Sequence, residues 1–186
     1  MPRIRPIDPD SAPLATRGAH HSAIQRFGRV TNMKATLLHS LPAFNALMYW
    51  YDLREVVVPF LGERLTDLFS HAISAATDCL ICSTYFRRAL IEAGVDPDEL
   101  ELNERERVVV EFGQCLAGPL SRVPDEVYAK LARFLGDEQI VILTAFGAMM
   151  VATNVFNNAL EVDLDEYLMD YRKGAAVQGT DLEASS

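Results

Sequence analysis

The sequence predicts an all-α protein, a compact bundle of about six to eight helices. Three observations carry this. Apolar residues recur at helical spacing, as in Leu65, Leu68, Phe69, Ala72, Ile73 and Ala76, and again in Phe86, Ala89, Leu90 and Ala93. Helix start and stop residues fall between the periodic segments, and consecutive segments are joined by short turns. No run alternates polar and apolar residues between hairpin turns, and Val56-Val57-Val58 reads as the end of a helix.

Taken in order, residues 1–20 hold Pro2, Pro6, Pro9 and Pro13 with little periodicity, so an extended arm is expected, disordered or lying along a partner subunit. Residues 21–170 form the expected single domain. Short helical segments run from His21 to Val30 and from Asn32 to Leu41. Ser40 before Leu41-Pro42 starts a helix, since proline is tolerated in a first turn, and Phe44, Leu47, Met48 and Tyr51 carry it to about Val57, ahead of Pro59. Gly62 opens a helix to about Ala76, and a second follows from the cysteines to Gly94. Asn103-x-x-Glu106 is a capping box before Val108, Val109, Phe112 and Leu116, with Gly118-Pro119 as the stop. Pro124 starts a helix through Val127, Leu131 and Phe134. Asp137 caps the last, Glu138 to about Leu160, apolar almost all round in its middle. It is shorter and more interrupted, by Thr144, Thr153, Asn154 and Asn157, than a bilayer span of about 20 apolar residues, and reads as a buried core helix. Residues 171–186 form the expected flexible tail.

Composition narrows the function. At 186 residues, 49% hydrophobic and 23% charged, the chain is long enough for one domain with a sizeable core. A formal charge of −9 argues against nucleic acid and anionic membrane as partners, because both require a positive patch. The N-terminus lacks an apolar stretch of signal-peptide length, and the three cysteines are odd in number, two of them clustered, so the expected compartment is cytoplasmic. In that compartment a Cys-x-x-Cys is more often catalytic or metal-binding than a permanent bridge.

That motif, Cys79-Leu-Ile-Cys82, follows Asp78 where two helices meet, Asp78 ending one or capping the next. Thiols at a helix start sit beside unsatisfied N–H groups and the positive end of the dipole, which favours thiolate. Thiolate attack on an O–O bond gives a sulfenic acid, and a thiol three residues away condenses with it to a disulfide. Zinc requires four ligands; no second pair stands at finger spacing and Cys115 is alone, so no metal site and no cofactor are expected.

The cysteine pair within a helix, the stretch Arg88-Ala-Leu90-x-x-Ala93-Gly94-Val95, and the segments Asn103-Glu-Arg-Glu-Arg-Val and Asp137-Glu-Gln-Ile-Val resemble the carboxymuconolactone decarboxylase superfamily, in particular its alkyl hydroperoxidase D-like members, over roughly Phe27 to Leu160. The resemblance implies a helical homo-oligomer, a trimer or hexamer, with Cys82 as peroxidatic and Cys79 as resolving cysteine. Helix-start geometry alone favours Cys79 as the more exposed thiol, and the residues themselves leave the choice open. Peroxidase members carry a glutamate twelve residues before the first cysteine and a histidine four after the second; here these are Asp67 and Phe86. His71, four residues after Asp67 on the same helix face, offers a substitute carboxylate–imidazole relay. Tyr85 is a weaker proton donor, and Arg87 and Arg88 are cations near the thiols.

The expected function is a thiol peroxidase acting through a Cys79–Cys82 dithiol/disulfide, with a peroxide substrate and a dithiol reductant as partners. The alternatives are a superfamily-type lyase of aromatic-acid catabolism, whose anionic substrate calls for an arginine cluster, and a non-catalytic redox sensor or helical assembly, which fits the loss of the histidine.

Overall fold

A computed structural model describes residues 1–174. Its helices are α1 (Leu14–Phe27), α2 (Asn32–Leu37), α3 (Leu41–Leu61), α4 (Glu63–Ala76), α5 (Leu80–Glu92), α6 (Glu104–Ala117), α7 (Asp125–Leu131) and α8 (Asp137–Leu160), followed by a 3-10 helix, Glu166–Tyr171. No strand occurs among the described residues.

Helix α4 is the hub, packed against α3, α5, α6 and α8. Its inward face pairs large residues, Leu65, Leu68, Phe69 and Ile73, with the buried hydroxyls Thr66, Ser70 and Ser74. Each hydroxyl donates to the carbonyl four residues back, Thr66 to Gly62 (2.8 Å), Ser70 to Thr66 (2.9 Å) and Ser74 to Ser70 (2.8 Å), so small polar side chains are buried without an unmet bond. Glycines on the neighbouring helices complete the close approach. A Cβ on Gly147 of α8 would lie 2.9 Å from Phe69 Cζ, and one on Gly113 of α6 would lie 3.0 Å from Phe69 Cδ2.

The phenylalanine ring at this crossing is part of a row. Phe69 lies 6.3 Å from Phe112 and 6.1 Å from Phe146; Phe146 stacks on Trp50 at 5.1 Å, and Trp50 reaches Phe86 at 6.0 Å. Aromatic packing thus runs from the centre of the bundle to the helix that carries the cysteines. A smaller cluster, Ala23, Leu37, Leu38, Phe44 and Met48, seats α1 and α2 on α3. Helix α8 is long and apolar enough to cross a bilayer by composition, but Ile140, Leu143, Phe146 and Met150 are buried within the bundle.

Several expectations are corrected. Helix starts at Leu14 rather than near residue 21, because Pro13 precedes the first turn and the inward face, Thr16, Ala19 and Ala23, is built of residues too small to register as a hydrophobic stripe. The arm before it folds back on its own chain: the Arg3 N–H donates to Leu160 O (2.9 Å) and its guanidinium to Ala159 O (2.9 Å), a cation at the negative end of α8. Helix α3 continues through Pro59 to Leu61, since a proline this near the end forfeits a single helix bond, and Gly62 at φ 83° makes the stop. Helix α7 ends at Leu131, and Phe134 lies in the turn after it. Of the expected tail, Tyr171 is docked, its hydroxyl donating to Glu92 (3.3 Å); residues 175–186 lie outside the described part.

Candidate functional site

The site is built where α4 turns into α5. Thr77 closes α4 by donating its hydroxyl to Ile73 O (3.0 Å), and Asp78 takes a left-handed φ of 51°, so Asp78 ends α4 and the next helix starts after it. Cys79 is the residue before α5, its N–H donating to Ser74 O (3.0 Å), and Cys82 stands in the first turn. This corner is strapped to α8 by amide side chains: Asn154 Nδ2 donates to Thr77 Oγ1 (2.7 Å) and Asn158 Nδ2 to Thr77 O (2.9 Å). A third amide reaches the sulfurs. Asn157 Nδ2 lies 3.3 Å from Cys82 Sγ, 3.9 Å from Cys79 Sγ and 3.5 Å from Met33 Sδ.

The two thiols are free and electrostatically unlike. Cys79 is held below the usual thiol range, chiefly because Cys82 donates a hydrogen bond to it; the N–H groups of Cys82 and Ile81 at the open end of α5 and the Asn157 amide add to this, against burial. Cys82 is pushed well above that range as the donor in the same bond, with burial and the charge on Cys79 adding. On ionisation the pair therefore retains one proton, and the negative charge rests mainly on Cys79.

Access runs the other way. Cys79 is 0% exposed and Cys82 5%, which corrects the expectation that Cys79 is the more exposed thiol: Ser74 O and Asn157 hold it inside the corner. Only Cys82 of the pair lines a cavity of about 70 Å³. Its walls are mainly aromatic and apolar, with Trp50, Tyr51, Tyr85, Phe86 and Tyr167 around the sulfur, and no arginine or lysine among them. The phenols of Tyr51, Tyr85 and Tyr167 are all raised by burial, Tyr167 to about 12, so each is a proton donor at neutral pH. Two polar atoms on lining residues, Trp50 Nε1 and Asp165 Oδ2, have no hydrogen-bond partner among the described residues. Asp165 Oδ1 accepts from the Asn32 N–H (2.8 Å), and burial raises the carboxyl. Behind Tyr51 lies Lys34, its Nζ 4.9 Å from that ring and 4.3 Å from Phe27, lowered to about 8 by burial.

The expected relay is not assembled. Asp67 accepts from Arg54 (3.3 Å), which also binds Glu63, and has no hydrogen bond to His71. Burial raises the Asp67 carboxyl, the Arg54 guanidinium opposing. His71 is half-buried, lowered first by burial and then by Arg87, with Asp98 opposing, and neither Asp67 nor His71 lines the cavity. The physical reason is competition: helix spacing aligns Asp67 with His71, but a guanidinium from α3 is the stronger partner. Arg87 pairs with Asp98 and Arg88 with Glu92 (2.8 Å), so both cations are engaged away from the thiols. Cys115 lies on α6, raised by burial and the Glu111 charge. Phe86 and Tyr85 do line the cavity. Sequence reasoning missed Asn157, Trp50, Tyr51, Asp165 and Tyr167; for the asparagine the signal was present, since Asn154, Asn157 and Asn158 interrupt an otherwise apolar helix, and buried amides require partners.

No protein-family model matches the sequence, and no curated protein matches it. Solved structures do. The debrominase Bmp8 aligns with a TM-score of 0.71 at 18% identity, over 90% of this chain and 95% of that one. An alkylhydroperoxidase AhpD core, an uncharacterized peroxidase-related protein from Ralstonia eutropha JMP134, gives 0.69 at 17% over 91% and 95%. An uncharacterized peroxidase-related protein from Silicibacter sp. TM1040 gives 0.68 at 17% over 88% and 92%. The chain has the fold of the AhpD-core proteins, the fold that the cysteine stretch and its flanking segments imply.

Proposed function

We propose that this chain is a dithiol peroxidase that reduces organic hydroperoxides through Cys82 and Cys79, with an external dithiol as reductant. The carrying observation is the pairing of a proton-sharing thiol couple with a cavity that only one of its sulfurs lines and whose walls are mainly apolar. Cys82 is the attacking sulfur in this reading. The Cys79 thiolate takes the Cys82 proton as the Cys82 sulfur bonds to the distal oxygen of ROOH and the O–O bond breaks; the sulfur is oxidised to sulfenic acid and the leaving oxygen takes a proton to become ROH. Cys79 then displaces hydroxide from that sulfur, which leaves as water with a second proton, and the disulfide results. A dithiol donor returns two electrons and two protons. Tyr51, whose phenol couples electrostatically to Cys82, supplies the proton that Phe86 lacks. The chain works in the cytoplasm as a homo-oligomer, a trimer or hexamer, on this reading.

A second reading is favoured by the aromatic walls together with the debrominase among the similar folds: the same dithiol replaces a halogen on a planar substrate, ArBr plus two thiols giving ArH, bromide, a proton and the disulfide. The lyase reading has less support, because no cation lines the cavity to hold a carboxylate. The test is steady-state turnover of cumene hydroperoxide with dihydrolipoamide, alongside bromide release from a brominated phenol. Hydroperoxide turnover lost in Cys82→Ser upholds the proposal. Bromide release without it moves the assignment to dehalogenation, and neither activity with the disulfide still forming favours a sensor.

A further inference from the structure

We infer that Asn157 is the positioning residue that sets the redox poise of the cysteine pair, by directing its amide N–H groups at the sulfurs and stabilising the reduced, proton-sharing couple over the disulfide. The inference rests on the dithiol reading above. Its ground is the unusual hydrogen bonding of this side chain. Asn157 is buried on α8, its Nδ2 is 3.3 Å from Cys82 Sγ and 3.9 Å from Cys79 Sγ, with a third sulfur, Met33 Sδ, at 3.5 Å, while its Oδ1 is buried without a partner among the described residues.

Asn154 likewise has a buried Oδ1 without a partner among the described residues, but it gives its N–H to a hydroxyl, a good acceptor, whereas Asn157 aims its donors at sulfurs, which accept weakly unless charged. Such an arrangement gains only when a sulfur carries charge, because a thiolate accepts a charge-assisted bond and a thiol or disulfide sulfur accepts poorly. The amide lowers the proton affinity of both thiols, the direction expected of a donor to each. On oxidation the charge disappears and those bonds weaken, so Asn157 favours the dithiol and makes the disulfide a stronger oxidant. The neighbouring Asn154 and Asn158 lock the corner through Thr77 and leave this task to Asn157 alone.

The experiment uses Asn157→Leu, which removes donors and orphan acceptor together while keeping the branch at Cγ, and Asn157→Asp, which keeps the shape but replaces the donors by oxygen. The full chain is equilibrated with dithiothreitol redox buffers, and its thiols are alkylated by iodoacetamide across pH. In Asn157→Leu the dithiol/disulfide equilibrium is expected to move toward disulfide by about tenfold, about 30 mV for a two-electron couple, and the alkylation profile to move to higher pH. The profile of Asn157→Asp moves further, since a carboxylate opposes the thiolate. Thermal stability of Asn157→Leu should equal or exceed wild type, which a merely structural asparagine would not allow. A folded Asn157→Leu with wild-type equilibrium and profile overturns the inference while leaving the dithiol reading intact; a wild-type chain that forms no Cys79–Cys82 disulfide sinks that reading itself.

Discussion

Alanine at Gly147 tests the packing that brings the amide side chains of α8 over the cysteine corner. Its Cβ would meet Leu116 Cδ1 at 2.6 Å, Phe69 Cζ at 2.9 Å and Ile73 Cδ1 at 3.3 Å. The leucine methyl can swing away, but Phe69 is stacked between Phe112 at 6.3 Å and Phe146 at 6.1 Å, so its ring cannot shift without displacing a buried neighbour. Overpacking costs about 1–3 kcal/mol, and two contacts under 3.0 Å place this one in the upper part of that range, about 2–3 kcal/mol, of which the helix propensity of alanine returns about 1. The net loss is about 1–2 kcal/mol, which for a domain of this size lowers Tm by about 2–8 °C. Gly18, in the middle of α1, is the control: nothing lies within 4 Å of its Cβ position, so Gly18→Ala should raise stability by about 0.5–1 kcal/mol. Thermal unfolding of both variants in reducing buffer gives the comparison. A Gly147→Ala protein as stable as wild type would refute the close approach of α4 and α8.

The coupled thiols predict an asymmetry. Cys79→Ala removes the bond and the charge that hold the Cys82 proton on, so alkylation of Cys82 should extend to lower pH, whereas Cys82→Ala removes the main support of the Cys79 thiolate and should move Cys79 to higher pH; shifts of equal sign in the two variants would contradict the shared proton. Buried Lys34 predicts a pH dependence of stability. Its folded value, about 8, lies below the unfolded one, so above about pH 8 the unfolded chain binds more protons and stability should rise with pH up to the unfolded value near 10.5. Urea unfolding of Lys34→Met at pH 7.5 and 9.5 should lack that rise, and a parallel slope in the variant would place the titration elsewhere.

The helical class, the cysteine corner and the capping box at Asn103 and Glu106 were legible because each obeys a rule acting within one or two turns of chain: periodicity, a cap, a stop. The boundaries that slipped did so where local signals were faint, as in α1, whose buried face is threonine and alanine. The site was legible only in its thiols. Helix spacing fixes where the Asp67 and His71 side chains start, not which distant group competes for them, and Arg54 on α3 takes the carboxylate. Likewise Asn157 stands 75 residues beyond Cys82, and its meeting with that sulfur is created by the α4 crossing, which periodicity alone does not specify. The cavity is assembled the same way, from α3, α5, α8, the segment around Thr31 and the 3-10 helix.

The most direct test of the dithiol account is a single-turnover titration of the reduced protein with cumene hydroperoxide, no donor present, following alcohol release and thiol loss together. The account predicts one alcohol for every two thiols lost, a Cys79–Cys82 peptide lighter by two hydrogens, Cys115 unchanged, and no alcohol from Cys82→Ser. Alcohol formation that persists in Cys82→Ser, or oxidation that begins at Cys115, would contradict it.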